Sequence, residues 1–95
     1  MAFRLRQRAS DDILDIMTYI AADNPAAARA WQEDLFRRFA LLAQRPELGR
    51  RHFEIRPSLR IFPTGHYLIF FQQAGPDIDI VRVIHGARDW QKLIK

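Results

Sequence analysis

The sequence predicts a single α+β domain over residues 1–95: an N-terminal strand, an antiparallel helical hairpin, a three-stranded antiparallel meander and a short C-terminal helical turn. Three observations carry this reading. Apolar residues alternate at the start of the chain, follow helical spacing from Ile13 to Leu42, and crowd into short β-branched and aromatic runs after Ser58. Asn24-Pro25 splits the helical stretch in two. Pro63-Thr64-Gly65 and Ala74-Gly75-Pro76-Asp77 split the last third into three strands.

Phe3 and Leu5 alternate with Arg4, Arg6 and Arg8, giving a short first strand with one buried face. Ser10 then reads as a helix N-cap, with Asp11 and Asp12 favourably placed at the positive end of the helix. Ile13, Met17 and Ile20, with Leu14 and Ala21, form its apolar stripe, which ends near Asp23. A residue before proline avoids helical geometry, so Asn24-Pro25 stops one helix and starts the next as cap and first residue. The second helix continues to about Gln44, with Trp31, Leu35, Phe39 and Leu42 on one stripe widened by Phe36 and Ala43. So short a connection makes the pair an antiparallel hairpin. Arg45-Pro46-Glu47-Leu48-Gly49-Arg50-Arg51 reads as an irregular, basic, exposed segment.

Strands are expected at 58–62, 67–73 and 78–85, followed by helical turns within 88–95. Tyr67, Ile69 and Phe71 fall on one face of the middle strand and Leu68 and Phe70 on the other. In the last strand, Ile78, Ile80 and Ile84 oppose Val81 and Val83. Half-exposed antiparallel strands alternate apolar with polar residues, and these do not. One hairpin covers only one face. The second is covered either by the tail, with Trp90, Leu93 and Ile94, or by a partner chain, and the apolar area favours the partner.

Composition bounds the function. With 48% hydrophobic and 12% aromatic residues, the 95-residue chain forms one small core. It has no cysteine, which excludes disulfides, a thiol nucleophile and zinc–thiolate chemistry. Charges interrupt the first residues, and no apolar run has membrane length, so a cytoplasmic location with no membrane partner is expected. The net charge is +4, and 13 of the 15 basic residues are arginine. A planar fork of donors suits carboxylates and phosphates, so an acidic partner is expected.

The densest chemistry lies in Arg82-Val83-Ile84-His85-Gly86-Ala87-Arg88-Asp89. An apolar strand runs into a glycine expected to turn the chain through positive φ, holding two arginines and a histidine near one sheet end. Arg82, on the face of Ile80 and Ile84, wants an acidic partner: Glu54, Asp89 or a carboxylate of another chain. His85 either bonds the backbone or Asp89 to fix the corner, which is the favoured reading, or titrates as a base. Trp90 either locks the tail or anchors a target. Arg50, Arg51 and Arg56 form the densest basic patch. His52 and His66 fall in loops, and three separate histidines make no metal motif, so neither metal nor cofactor is expected.

The chain resembles the ParE toxins of bacterial type II toxin–antitoxin pairs, within the ParE/RelE superfamily. The resemblance rests on Tyr19-Ile20-Ala21, Asn24-Pro25-Ala26-Ala27-Ala28, Pro46-Glu47-Leu48-Gly49-Arg50, Arg60-Ile61-Phe62-Pro63, Tyr67-Leu68-Ile69-Phe70-Phe71 and the 82–89 segment, in that order. It implies a toxin held inactive by a cognate antitoxin whose C-terminal region wraps it, in a hetero-oligomer. Freed, it would inhibit DNA gyrase and stabilise the cleaved-DNA complex, with no cofactor and no catalysis of its own. An acidic, amphipathic antitoxin tail would suit Arg50, Arg51, Arg56 and the second sheet face at Leu68, Phe70, Val81 and Val83. The target surface would be Arg82, His85, Arg88, Asp89 and Trp90.

The sister RelE branch, which cuts mRNA on the ribosome, supplies the enzymatic alternative. It would use His85 as base, with Arg82, Arg60 and Arg88 on the phosphate and Glu54 as a weaker second acid–base. Ribonuclease members generally add lysines or a C-terminal tyrosine. This chain has only Lys92 and Lys95, and Trp90 stands in place of the tyrosine.

Overall fold

The computed structural model describes residues 2–94. Strand β1 (Phe3–Leu5) leads into helices α1 (Gln7–Asp23) and α2 (Pro25–Gln44). A 3-10 turn at Pro46–Leu48 and strand β2 (Arg50–Arg51) follow. Strands β3 (Leu59–Thr64), β4 (Tyr67–Ala74) and β5 (Asp77–His85) come next, and α3 (Trp90–Ile94) closes the chain. The five strands form one sheet in the order β1-β5-β4-β3-β2. β1 runs parallel to β5, and the remaining neighbours are antiparallel.

The hairpin is capped as its sequence predicts: the Asn24 side chain accepts from Ala27 N–H at 3.1 Å, and Pro25 opens α2. Helix α1 starts earlier than expected. Arg6, not Ser10, is its N-cap, and Ser10 N–H already donates to Arg6 C=O at 3.0 Å. The cause is the sheet. Arg6 N–H still donates to Ile80 C=O at 3.0 Å, so pairing ends at residue 6 and the helix begins immediately. This moves Asp11 and Asp12 into the helix body. Leu14, 66% exposed, falls off the buried stripe of Ala9 and Ile13.

The meander turns through two-residue loops, with Gly65 (φ 59°) and Gly75 (φ 63°) at their first positions. The segment read as irregular contributes β2, whose Arg50 and Arg51 lie opposite Ile61 and Arg60. Gly49 precedes it for a steric reason: a Cβ there would meet the Phe71 ring at 2.4 Å.

One irregularity reorders the faces. Phe70 pairs with Arg82 but Phe71 with Ile80, leaving Val81 as an extra residue on β5. Side chains past the bulge therefore switch sides relative to a strict alternation. Val83 joins Ile78 and Ile80 against the helical hairpin, with Leu35, Phe39 and Leu42. Ile84 joins Val81 on the opposite face. There Leu59, Ile61 and Phe70 are covered by the chain itself, through Ile94, Leu93, Trp90 and Ile55. The face expected to await a partner is thus closed by α3. Phe70, Val81 and Val83 are core residues and present no free antitoxin surface, while Leu68 is half-buried at the margin. Burying Ile94 alone is worth about 2 kcal/mol, which offsets part of the cost of ordering the tail.

Candidate functional site

β1 pairs with β5 only at Ile78, Asp79 and Ile80, so the edge of β5 beyond them has no strand neighbour. Helix α1 crosses that edge and seals it with Asp12. Its Oδ2 accepts from Val83 N–H at 3.0 Å and from Arg82 Nε at 2.7 Å, while Oδ1 accepts from Arg82 Nη2 at 2.9 Å. Arg82 Nη1 reaches Leu93 C=O at 3.4 Å, tying in α3. The side-chain hydrogen bond to Asp12 raises the Arg82 pKa, burial opposes that rise, and the Asp12 charge adds to it. The acidic partner is therefore neither Glu54 nor Asp89. Glu54 sits 3.3 Å from His52, and Asp89 lies 3.6 Å from Lys92. Arg82, buried and with its Nε–Nη2 fork taken by Asp12, is a structural residue with that fork unavailable to a target or a phosphate.

The His85 corner is closed by hydrogen bonds rather than by backbone freedom. Gly86 does not adopt positive φ; its N–H donates to His66 C=O at 2.8 Å, and Arg88 N–H donates to His85 C=O at 3.0 Å. Ala87 N–H donates to His85 Nδ1 at 3.0 Å. That bond occupies the Nδ1 lone pair, so in the neutral imidazole the proton is on Nε2. The imidazole packs edge-on against Tyr67 and parallel to His66, at 5.2 and 6.0 Å. His85 and Arg88 share an open cleft with Asp15, Tyr19 and Tyr67. Burial raises the Tyr67 pKa and the charge of Tyr19 adds to the rise, so the Tyr67 phenol stays protonated. Tyr19 and Tyr67 were not singled out as site residues. Tyr19, 79% exposed and off the stripe of α1, is the one that carried a signal.

Trp90 is locked down. It lies between Phe70 and His52, with ring centroids 5.5 and 5.8 Å away, and His52 is accordingly half-buried rather than solvated.

Arg60 belongs to another region. It pairs with Phe71, whereas His85 pairs with Tyr67, four residues away along β4 and so about 13 Å distant. Its Nη1 donates to Gly49 C=O at 2.9 Å. Its guanidinium carbon lies 5.6 Å from the centre of the Phe53 ring, and that of Arg51 lies 5.7 Å from it. Of the four residues a nuclease reading requires, the fold thus brings together only His85 and Arg88. Among the described residues no group of three or more His, Cys, Asp or Glu side chains is placed to hold a metal. No described helix is long and apolar enough to cross a membrane.

Comparison with known proteins agrees with this architecture. The family model described as "ParE toxin of type II toxin-antitoxin system, parDE" matches residues 3–90. Toxin ParE1 of Caulobacter vibrioides is 27% identical over 84 residues, spanning 87% of this chain and 86% of its own. A solved chain from the chromosomal ParDE TA system of P. aeruginosa shares the fold, with a TM-score of 0.70 at 20% identity. That match covers 90% of this chain and 95% of the other.

Proposed function

The chain belongs to the ParE toxin family of type II toxin–antitoxin systems, and on that premise we propose that a cognate antitoxin neutralises it and that, when free, it inhibits DNA gyrase. The observation that carries the proposal is the family match over nearly the whole chain. The geometry supports a toxin that works by binding. Arg82 is consumed by Asp12, Arg60 is remote from the His85 corner, and the Nδ1 lone pair of His85 is taken by Ala87 N–H. The target surface is the outer part of that corner, at His85, Arg88 and Asp89, with Trp90 as its packed support. The antitoxin, an acidic amphipathic segment, contacts Arg50, Arg51 and Arg56, none of which has an ion pair within the described residues. Encounter with gyrase places its action in the cytoplasm.

Supercoiling of relaxed plasmid by the source organism's gyrase, with purified chain added and linear DNA scored after detergent and protease, tests the toxin half. Inhibition with accumulated cleaved DNA is expected. Normal supercoiling in the presence of folded protein rejects the gyrase reading. Charge reversal at Arg50 and Arg51 tests the other half: the expected outcome is antitoxin affinity reduced at least tenfold, and unchanged affinity removes these arginines from the interface.

A further inference from the structure

The rim where β2 meets β3 contains an arrangement that folding alone does not explain. Arg51 and Arg60 stand directly opposite each other across the ladder, a like-charge pair that destabilises a sheet. Among the described residues no carboxylate relieves it. The arginine ion pairs of the described residues join Arg4 and Arg6 to Asp79, Arg37 and Arg38 to Asp34, Arg45 to Glu47 and Arg82 to Asp12. Glu54, the nearest acid in sequence, is turned to His52. Both guanidinium carbons lie over the ring of Phe53, at 5.7 and 5.6 Å from its centre, and Phe53 is 45% exposed although it is among the largest apolar side chains in the protein.

We propose that this rim binds single-stranded nucleic acid, with Phe53 as the surface on which a base stacks and Arg51 and Arg60 as the contacts to the flanking phosphates. Each feature fits that ligand. Phosphates along a strand neutralise the opposed guanidiniums that the chain leaves without counter-charge. A base covers the exposed ring and the planar guanidiniums beside it, in the manner of aromatic–arginine platforms for single strands. Arg60 is pre-oriented, because one nitrogen is fixed on Gly49 C=O while its remaining donors stay available. A purely acidic peptide would satisfy the arginines but leave the ring uncovered; the amphipathic antitoxin segment would cover both, and what favours a strand is that planar guanidiniums beside one aromatic ring match its alternation of phosphate and base. Because Arg51 also belongs to the proposed antitoxin surface, bound antitoxin and bound strand exclude each other. The inference goes beyond gyrase inhibition and is measured with no gyrase present.

Fluorescence anisotropy of the full chain with labelled oligo(dT), oligo(rU) and a duplex of equal length tests it. At about 50 mM salt both single strands should bind more tightly than the duplex. Phe53→Ala should weaken single-strand binding about tenfold, with the salt slope unchanged, and Phe53→Tyr should retain affinity. Arg51→Gln should flatten the salt slope by about 0.7, the loss of one phosphate contact. Both positions are on the exposed rim, and circular dichroism melts verify that the variants fold. Wild-type affinity in Phe53→Ala overturns the platform, as does duplex binding equal to single-strand binding. A polyglutamate peptide that binds with the same Phe53 dependence while oligonucleotides do not reassigns the rim to an acidic protein and also overturns the proposal.

Discussion

At the seam between β5 and α1, Arg82 is 6% exposed, and Asp12 meets it with both carboxylate oxygens across 70 residues of sequence. At the rim between β2 and β3, Arg51 and Arg60 stand opposite each other, both over an exposed phenylalanine, with no acid for either among the described residues. The same side chain follows opposite rules in the two places. A buried guanidinium must be paired or the fold fails, so the seam is complete within the chain. A guanidinium at the rim keeps at least part of its hydration, so the fold tolerates its lack of an acidic partner and leaves it for something else. Completed pairing marks the structural arginine, and unrelieved like charge beside an exposed aromatic marks the available ones.

The largest effect should come from breaking the seam. Asp12→Ala strands Arg82 in the core and orphans Val83 N–H, at a cost of about 3–5 kcal/mol in urea unfolding. Replacing the pair together, as Asp12→Leu with Arg82→Met, should recover most of that cost. A deficit of about 1 kcal/mol should persist, because the Val83 amide still lacks its acceptor. Single and double variants of equal stability would show that the pair contributes nothing specific. Trp90→Ala comes next. Its ring is half-buried against Phe70 and His52, so the expected loss is about 2 kcal/mol, below the 3–5 of a fully buried tryptophan. Any loss of toxicity should then follow the unfolded fraction. Lost toxicity at full stability would make Trp90 a target contact.

Gly49→Ala acts at the base of the rim. The added methyl would lie 2.4 Å from the Phe71 ring and 3.0 Å from Arg60 Cβ, and Phe71 is fully buried with nowhere to move. Thermal unfolding should register a loss of about 1–3 kcal/mol. Displacing Arg60 should also weaken oligonucleotide binding.

Most of the fold was legible because it rests on local patterns: the helical stripe from Leu35 to Leu42, the Asn24-Pro25 break, the glycine turns. What was not legible depends on contacts between distant segments. Period-two reading put Ile84 with Ile80 and Val83 with Val81, and one bulged residue at Val81 inverted both assignments. Asp12 looked like first-turn acid because nothing local says that the β1 ladder runs to Arg6 and starts the helix early. With Asp12 misplaced, Arg82 had no visible partner and passed for a site residue. The cleft kept His85 and Arg88 of the sequence-derived set, since these follow each other closely around one turn. Phe53 was overlooked although it carried a sequence signal, an aromatic between Arg50-Arg51 and Arg56.

The smallest stability effect is the most discriminating. Arg51→Glu converts the opposed guanidiniums of the rim into an ion pair with Arg60, which should stabilise the sheet by about 0.2–1 kcal/mol, less at high salt. The same change removes a phosphate contact and puts a carboxylate in its place, so oligonucleotide affinity should fall well over tenfold. Stability and binding would then move in opposite directions from one substitution. That divergence is expected of a residue kept for a ligand at the fold's expense, and a residue kept for folding cannot produce it. At the seam the two quantities must fall together, because Arg82 and Asp12 act only through the native structure. If Arg51→Glu instead destabilises the chain, the rim arginines serve the fold, and the contrast with Arg82 collapses.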